Sequence, residues 1–190
     1  MTVVLASGSP RRKQLMEMLG FENMEIIPAR GEELADPALA PGELVEKLAA
    51  AKAEEVAEGR AAEDIIIAAD TIVWSEGQVL GKPCSEETAV EMLKSLSGKT
   101  HQVYTGLCII KDGIAHSGHE VSKVSFRELS SAEIEAYVKT GEPMDKAGAY
   151  GAQGKGALFV KGIEGDFFNV MGLPVCRLGE MLKEQGVRIL

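Results

Sequence analysis

Residues 2–20, TVVLASGSPRRKQLMEMLG, read as a strand, a tight turn and a helix in one short stretch. Residues 2–6 are rich in β-formers. Ser9 then stands where an N-cap belongs, Pro10 takes the first helical position, and Leu15 and Leu19 form an apolar stripe that Gly20 ends. Outward from there, strand-type and helix-type periods keep alternating across short polar turns, with no repeat, low-complexity segment or long linker. Residues 24–28 read as a second strand. The acidic loop GEELADPALAPG (31–42) leads into a helix from about Pro41 that carries Leu44, Leu48, Lys52 and Val56 at helical spacing. A lysine on that apolar face is unusual.

Residues 65–69, IIIAA, form a continuous apolar run of the buried-strand kind that stops at Asp70, and a second β-rich stretch, 71–74, follows at once. Ser85 opens a helix to Leu96, closed by Gly98. Residues 98–113, GKTHQVYTGLCIIKDG, make a long strand ending in an Asp112-Gly113 hairpin turn, with a return strand to about Phe126. Ser130 and Glu133 form a capping box for a helix ending at Gly141. The stretch EPMDKAGAYGAQGKGALFVKGIEGD (142–166) holds five glycines from Gly148 to Gly162 and reads as a glycine-rich loop followed by a hairpin. Leu173-Pro174 opens a last amphipathic helix with Val175, Leu178 and Leu182 on one face, before a terminal VRIL strand. The pattern is that of an α/β protein whose sheet is mixed rather than purely parallel.

The chain has 190 residues, 45% of them hydrophobic and 26% charged, with mean hydropathy +0.01, the balance of a globular protein. One domain spanning 1–190, bilobed in shape, suits that length. A net charge of −9 argues against a scaffold that holds nucleic acid by charge. No apolar run approaches the roughly 20 residues of a membrane helix, and the start, MTVVLASGSPRR, has its apolar stretch before its charges, so a cytoplasmic protein is expected. Cys84, Cys108 and Cys176 fit neither a disulfide framework nor a zinc site and read as buried thiols.

Several segments carry chemistry. In ASGSPRRK (6–13), flexible residues between a strand and a helix N-terminus leave backbone N–H groups beside Arg11 and Arg12, which suits phosphate oxygens; an ordinary capped helix with solvent-facing arginines satisfies the same spacing. Asp70 at the end of an apolar run needs a cation, a metal or hydrogen bonds, unless it caps a turn. A turn at Glu76-Gly77 folds Gly81-Lys82-Pro83 back alongside it, offering Lys82 to a phosphate or to Asp70 itself. His101 shares a strand face with Val103 and Thr105 and reads as structural, whereas His116 and His119 face opposite ways and are dismissed as joint metal ligands. Glu142, Asp145, Lys146 and Gln153 lie among the glycines, and the Gln153 amide has both a donor and an acceptor for a base edge. Glu32 and Glu33 lie in a polar loop, where solvation accounts for them, and they are also hard oxygen donors available for Mg²⁺ or Mn²⁺.

Taken together, LASGSPRRKQL, AADTIVW, GKP, SLSGKTHQVYTG, EPMDKAGAYGAQG and VMGLPV, in this order over nearly the whole chain, resemble the Maf family of nucleoside triphosphate pyrophosphatases. The resemblance implies an α/β fold of the Maf and ITPase kind, with a mixed twisted sheet and flanking helices, bilobed around a deep cleft. It also implies cleavage between the α and β phosphates to monophosphate and pyrophosphate, with Mg²⁺ or Mn²⁺. The family's catalytic aspartate falls on Asp70, acting as general base and as metal ligand with Glu33, a shift to Glu32 being open. Ser7, Arg11, Arg12, Lys52, Thr71, Lys82 and Gln153 match substrate-binding positions, with Arg12, Thr71 and Gln153 linked to base choice. DKAGAYGAQG resembles the subgroup acting on dTTP and UTP, which clears nucleotide pools and is linked to cell-division arrest. A homodimer is implied in the same way. The competing readings are a pyrophosphatase of 7-methyl-GTP or other modified nucleotides, and a nucleotide-binding regulator of septum formation.

Overall fold

The computed structural model describes residues 1–31, 36 and 38–189. A continuous apolar run builds a short first strand, β1 (Val3–Leu5), which pairs in parallel with both β2 (Glu25–Ile26) and β3 (Ile65–Ser75). Helix α1 (Pro10–Met18) links β1 to β2, and α2 (Pro41–Ala57) links β2 to β3. Beyond β3 come β4 (Gln78–Leu80), α3 (Glu86–Leu96), β5 (Thr100–Lys111), β6 (Ile114–Phe126) and α4 (Ser131–Val138), then β7 (Val160–Glu164), α5 (Phe167–Met171) and α6 (Val175–Glu184). The seven strands form one mixed sheet in the order β2-β1-β3-β5-β6-β7, with β4 paired to β3. The mixed α/β class read from the sequence is therefore the observed one.

Two compact units make up the chain: Met1–Asp70 with Thr105–Glu120 and Gly172–Leu190, and Thr71–Tyr104 with Val121–Met171. In the first, the contact between α2 and the sheet is made largely by small side chains. Ala49, Ala53 and Val56 of α2 lie on Val4, Ala6, Ile66, Ala68 and Cys108. That smallness lets helix and strand approach closely: a Cβ on Gly106 would lie 2.1 Å from the Val45 carbonyl oxygen of α2. In the second unit Leu93, Leu96, Phe126, Ile134, Tyr137, Tyr150 and Phe159 gather in one cluster. Its aromatic rings meet edge to face.

Local signals fixed most boundaries. Ser85 accepts from the Thr88 N–H, and the Ser130/Glu133 capping box forms as expected. Asp112 and Gly113 both take positive φ in the β5–β6 turn, as Glu76 and Gly77 do between β3 and β4.

The structure departs from the sequence reading in six places. The run that ends at Asp70 and the stretch after it are a single strand, β3, because a partner for the carboxylate lets the strand continue through it. No hairpin follows the glycine-rich loop: 142–159 hold three short 3-10 turns, and β7 pairs instead with β6, since side-chain bonds within the loop replace a ladder. Residues 187–189 form no strand, because Val187 N–H is taken by the Leu182 carbonyl in closing α6; Leu190 lies outside the described residues. Leu48 is only half-buried, since the buried stripe of α2 runs through Val45, Ala49, Ala53 and Val56. Ser9 occupies the N-cap of α1, but its side chain caps nothing. Finally, Cys84 and Cys176 are exposed and Cys108 alone is buried. No helix among the described residues is long and apolar enough to cross a membrane.

Candidate active site

Strand order β2-β1-β3 makes β1 the strand from which the chain turns in opposite directions, and ligands in such sheets bind beyond the carboxyl ends of the parallel strands. Ser7 follows β1 there, and Asp70 lies on β3 just past the residues paired with β1. Alternation sets the direction of Asp70. Ile66 and Ala68 face α2 in the core, so Asp70, two residues on, emerges on the same face. Lys52 of α2 meets it there, Nζ donating to Oδ1 at 2.5 Å, with the two side chains 16% and 6% exposed. The lysine on an apolar helix face thus answers the carboxylate in an apolar strand.

Arg12 turns inward from the first turn of α1. Its Nε donates to the Gly172 carbonyl (2.7 Å), and Nη1 donates to the Ala69 carbonyl (2.8 Å) and to Ser7 Oγ (3.1 Å). It therefore ties the β1 turn, the residue before Asp70 and the start of the α6 segment into one constellation. Ser7 Oγ also accepts from the Ser9 N–H at 3.3 Å. Arg11 is half-buried. Since the Ser9 hydroxyl does not cap α1, its first-turn N–H groups are not used by that side chain. The backbone leading into the acidic loop is fixed on α2: Arg30 and Gly31 N–H donate to the two oxygens of Glu55, whose carboxyl they hold below its ordinary range. Further along, Asp36 pairs with Lys47 at 3.4 Å. Glu32 and Glu33 lie outside the described residues.

Thr71, Lys82 and Gln153 belong to the second unit. Lys82 is exposed, as is Gln153, and Thr71 is half-buried. The segment bearing Lys82 is tied to the glycine-rich stretch by a bond from the Gly148 N–H to the Gly81 carbonyl (3.0 Å). Gly148, at φ +67, is packed so tightly that a Cβ would come within 2.8 Å of Val73. Downstream, Glu142 and Lys146 bind the loop itself rather than facing outward. Glu142 accepts from Tyr137 and from the N–H groups of Lys155 and Gly156, while Lys146 donates to the Glu142 carbonyl and to Asp145. Burial raises the Glu142 carboxyl, but the Gly156 and Lys155 amides and the Tyr137 hydroxyl outweigh it and leave it below the usual range.

His101 is structural, as its position suggested. It is buried, Nε2 shares a 2.8 Å hydrogen bond with the Tyr150 hydroxyl, and burial pushes its imidazole down to about 4. His119 pairs with Glu46. Sequence reasoning missed the Ala69 and Gly172 carbonyls as anchors of Arg12, since any residue type supplies a carbonyl. It also missed Tyr137, which no local pattern distinguishes from a core aromatic.

Residues 2–185 match the family described as Maf-like protein. The chain is 48% identical over 187 residues to a dTTP/UTP pyrophosphatase of Bacillus cereus (strain AH820), covering 98% of this chain and 97% of that one. It is equally similar, with the same coverage, to a dTTP/UTP pyrophosphatase of Bacillus thuringiensis subsp. konkukian. Among solved structures it is similar to a HAM1 protein from Coxiella burnetii, at 18% identity and TM-score 0.49, over 97% of this chain and 100% of that one. On the match of nearly its whole length and its identity to these Bacillus proteins, the chain belongs to the family of Maf-like proteins.

Proposed function

We propose that this protein hydrolyses nucleoside triphosphates, dTTP and UTP above others, between the α and β phosphates. The products are a nucleoside monophosphate and pyrophosphate, and the role is to clear the cytoplasmic nucleotide pool. The observation that carries the reading is Asp70, buried beyond the carboxyl ends of the parallel strands and paired with Lys52, in a chain 48% identical to proteins named for that activity. In this reading a water oxygen bonds to the α phosphorus, the bond from that phosphorus to the bridging oxygen breaks, and Asp70 takes the proton. Lys52, Arg11, Arg12 and Lys82 offset the triphosphate charge that an acidic chain repels, and Ser7 with the first turn of α1 receives phosphate oxygens. Thr71 and Gln153 read the pyrimidine edge. All of residues 1–190 act as one Maf-type domain, and the chain works as a homodimer.

Mg²⁺ or Mn²⁺ suits the donors present. Among the described residues no three His, Cys, Asp or Glu side chains converge, and a hard cation of this kind needs only one or two carboxylates besides substrate phosphates. Asp70 Oδ1 is taken by Lys52, while Oδ2 accepts no hydrogen bond among the described residues. Glu33 is the second donor in this reading; what supports it is that Gly31 and Asp36, on either side of it, are bonded to the helix carrying Lys52. Such an ion neutralises phosphate charge and polarises the attacking water.

The test is pyrophosphate release from a panel of canonical and modified nucleoside triphosphates with Mg²⁺ or Mn²⁺, wild type beside Asp70→Asn. Strong release from dTTP and UTP, reduced roughly 10²-fold or more in the variant, is expected. Release chiefly from 7-methyl-GTP overturns the base assignment and leaves the chemistry standing. No release from any nucleotide leaves the nucleotide-binding regulator.

A further inference from the structure

We propose that Tyr137 and Glu142 are specificity-positioning residues: they clamp the neck of the loop 151–156 and so set where the Gln153 amide meets the base, an inference that rests on the pyrimidine-nucleotide reading above. The Tyr137 hydroxyl accepts from the Gly151 N–H (3.2 Å) and donates to Glu142 Oε1 (3.0 Å). That oxygen also accepts from the Gly156 N–H (3.1 Å), and Oε2 accepts from the Lys155 N–H (3.0 Å). Three backbone donors of one short loop therefore converge on two side chains from outside it.

The glycines are placed for that closure. A Cβ on Gly156 would lie 2.6 Å from the Gly151 carbonyl oxygen and 2.7 Å from the Tyr137 hydroxyl, so the two sides of the neck touch with no room for a side chain. At Gly154, φ is +110 and a Cβ would meet Glu142 Oε1 at 2.8 Å. The Tyr137 ring is itself fixed edge-on against Phe159, centroids 4.9 Å apart.

Such closure adds little to the core. Gln153, Gly154 and Lys155 are exposed and Ala152 is half-buried, so ordering this segment costs conformational entropy with little apolar burial in return. What the clamp does achieve is a fixed mount for one amide. A side chain that reads a base by its donor and acceptor has to be held within about 0.5 Å of its productive place.

Steady-state kinetics on dTTP, UTP, CTP and GTP with wild type, Tyr137→Phe, Glu142→Gln, Gln153→Ala and the Tyr137→Phe/Gln153→Ala double variant test this. Tyr137→Phe keeps the ring on Phe159 and deletes both hydroxyl bonds; if it fails to fold, Glu142→Gln, which keeps the size of the side chain, carries the test. The expected result is a KM for dTTP and UTP raised roughly 3- to 10-fold, with kcat changed less than about twofold. Discrimination against CTP and GTP falls by the same factor, and Tyr137→Phe has no further effect once Gln153 is Ala. The proposal is overturned if kcat/KM falls equally for all four nucleotides in step with Tm, if discrimination is unchanged, or if the effects of Tyr137→Phe and Gln153→Ala simply add. A wild-type protein that releases pyrophosphate from none of them overturns the pyrophosphatase reading first, and that failure is visible before any variant is made.

Discussion

Gly106→Ala probes the contact on which the geometry of Asp70 and Lys52 depends. The added methyl carbon would lie 2.1 Å from the Val45 carbonyl oxygen, 2.3 Å from its carbon and 2.7 Å from the Glu46 nitrogen. Ordinary contact begins at 3.4 Å, so α2 has to retreat by more than an ångström, and the obstacle is backbone that cannot swing aside as a side chain does. The helix is backed by Ala49 and Ala53, both fully buried, which leave no slack. Overpacking a core costs about 1–3 kcal/mol and sometimes more, and backbone against backbone puts this site at about 3 kcal/mol. The chain-entropy gain of replacing glycine offsets at most about 1 kcal/mol. For a chain of this size, a loss of about 2–3 kcal/mol lowers Tm by roughly 4–12 °C. Lys52 sits seven residues beyond Val45, about two turns along the same helix, and moves with it. Its 2.5 Å contact with Asp70 is then lost, and kcat/KM for UTP falls about tenfold or more. Urea titration gives the stability, and pyrophosphate release measured well below Tm gives the activity. A variant that melts within about 2 °C of wild type with unchanged kcat/KM refutes the backbone contact and its link to the site.

Two further predictions concern pH. The folded His101 resists protonation down to about 4, whereas an unfolded chain takes the proton near 6.5, so its contribution to stability is complete above pH 6.5 and drains away as pH falls toward 4. His101→Phe should flatten the pH dependence of urea stability in that window, by roughly 3 kcal/mol at its foot, and parallel curves for the two proteins would refute the assignment. Glu133 is held down to about 2 by the Arg127 guanidinium and by the amide and hydroxyl of Ser130. A depressed carboxylate stabilises above its ordinary value of about 4.5 and ceases to do so as pH falls through about 2. Because the pair is exposed and screened by solvent, thermal melts should show Glu133→Gln only a few degrees below wild type at pH 7, with the gap closing as pH falls from about 4.5 toward 2.

What could be read from the chain alone was whatever its own neighbours decide. The helix starts at Pro10, Pro41 and Ser131, the Ser130/Glu133 box and the Asp112-Gly113 turn are matters of a few adjacent residues, and each formed where its local chemistry directs. The oddity of Asp70 in an apolar run and of Lys52 on an apolar helix face was visible too, because burial of a charge conflicts with its surroundings whatever the fold. Their pairing was not visible. Lys52 and Asp70 are 18 residues apart and Arg12 and Gly172 are 160 apart, and such distances in sequence close only when a helix of small residues settles on the sheet. The loop 151–156 shows the same limit from the other side. Its glycines announce a turn, but a backbone N–H looks the same in every sequence, and only the packed fold supplies the Tyr137 hydroxyl and Glu142 carboxylate that it must meet.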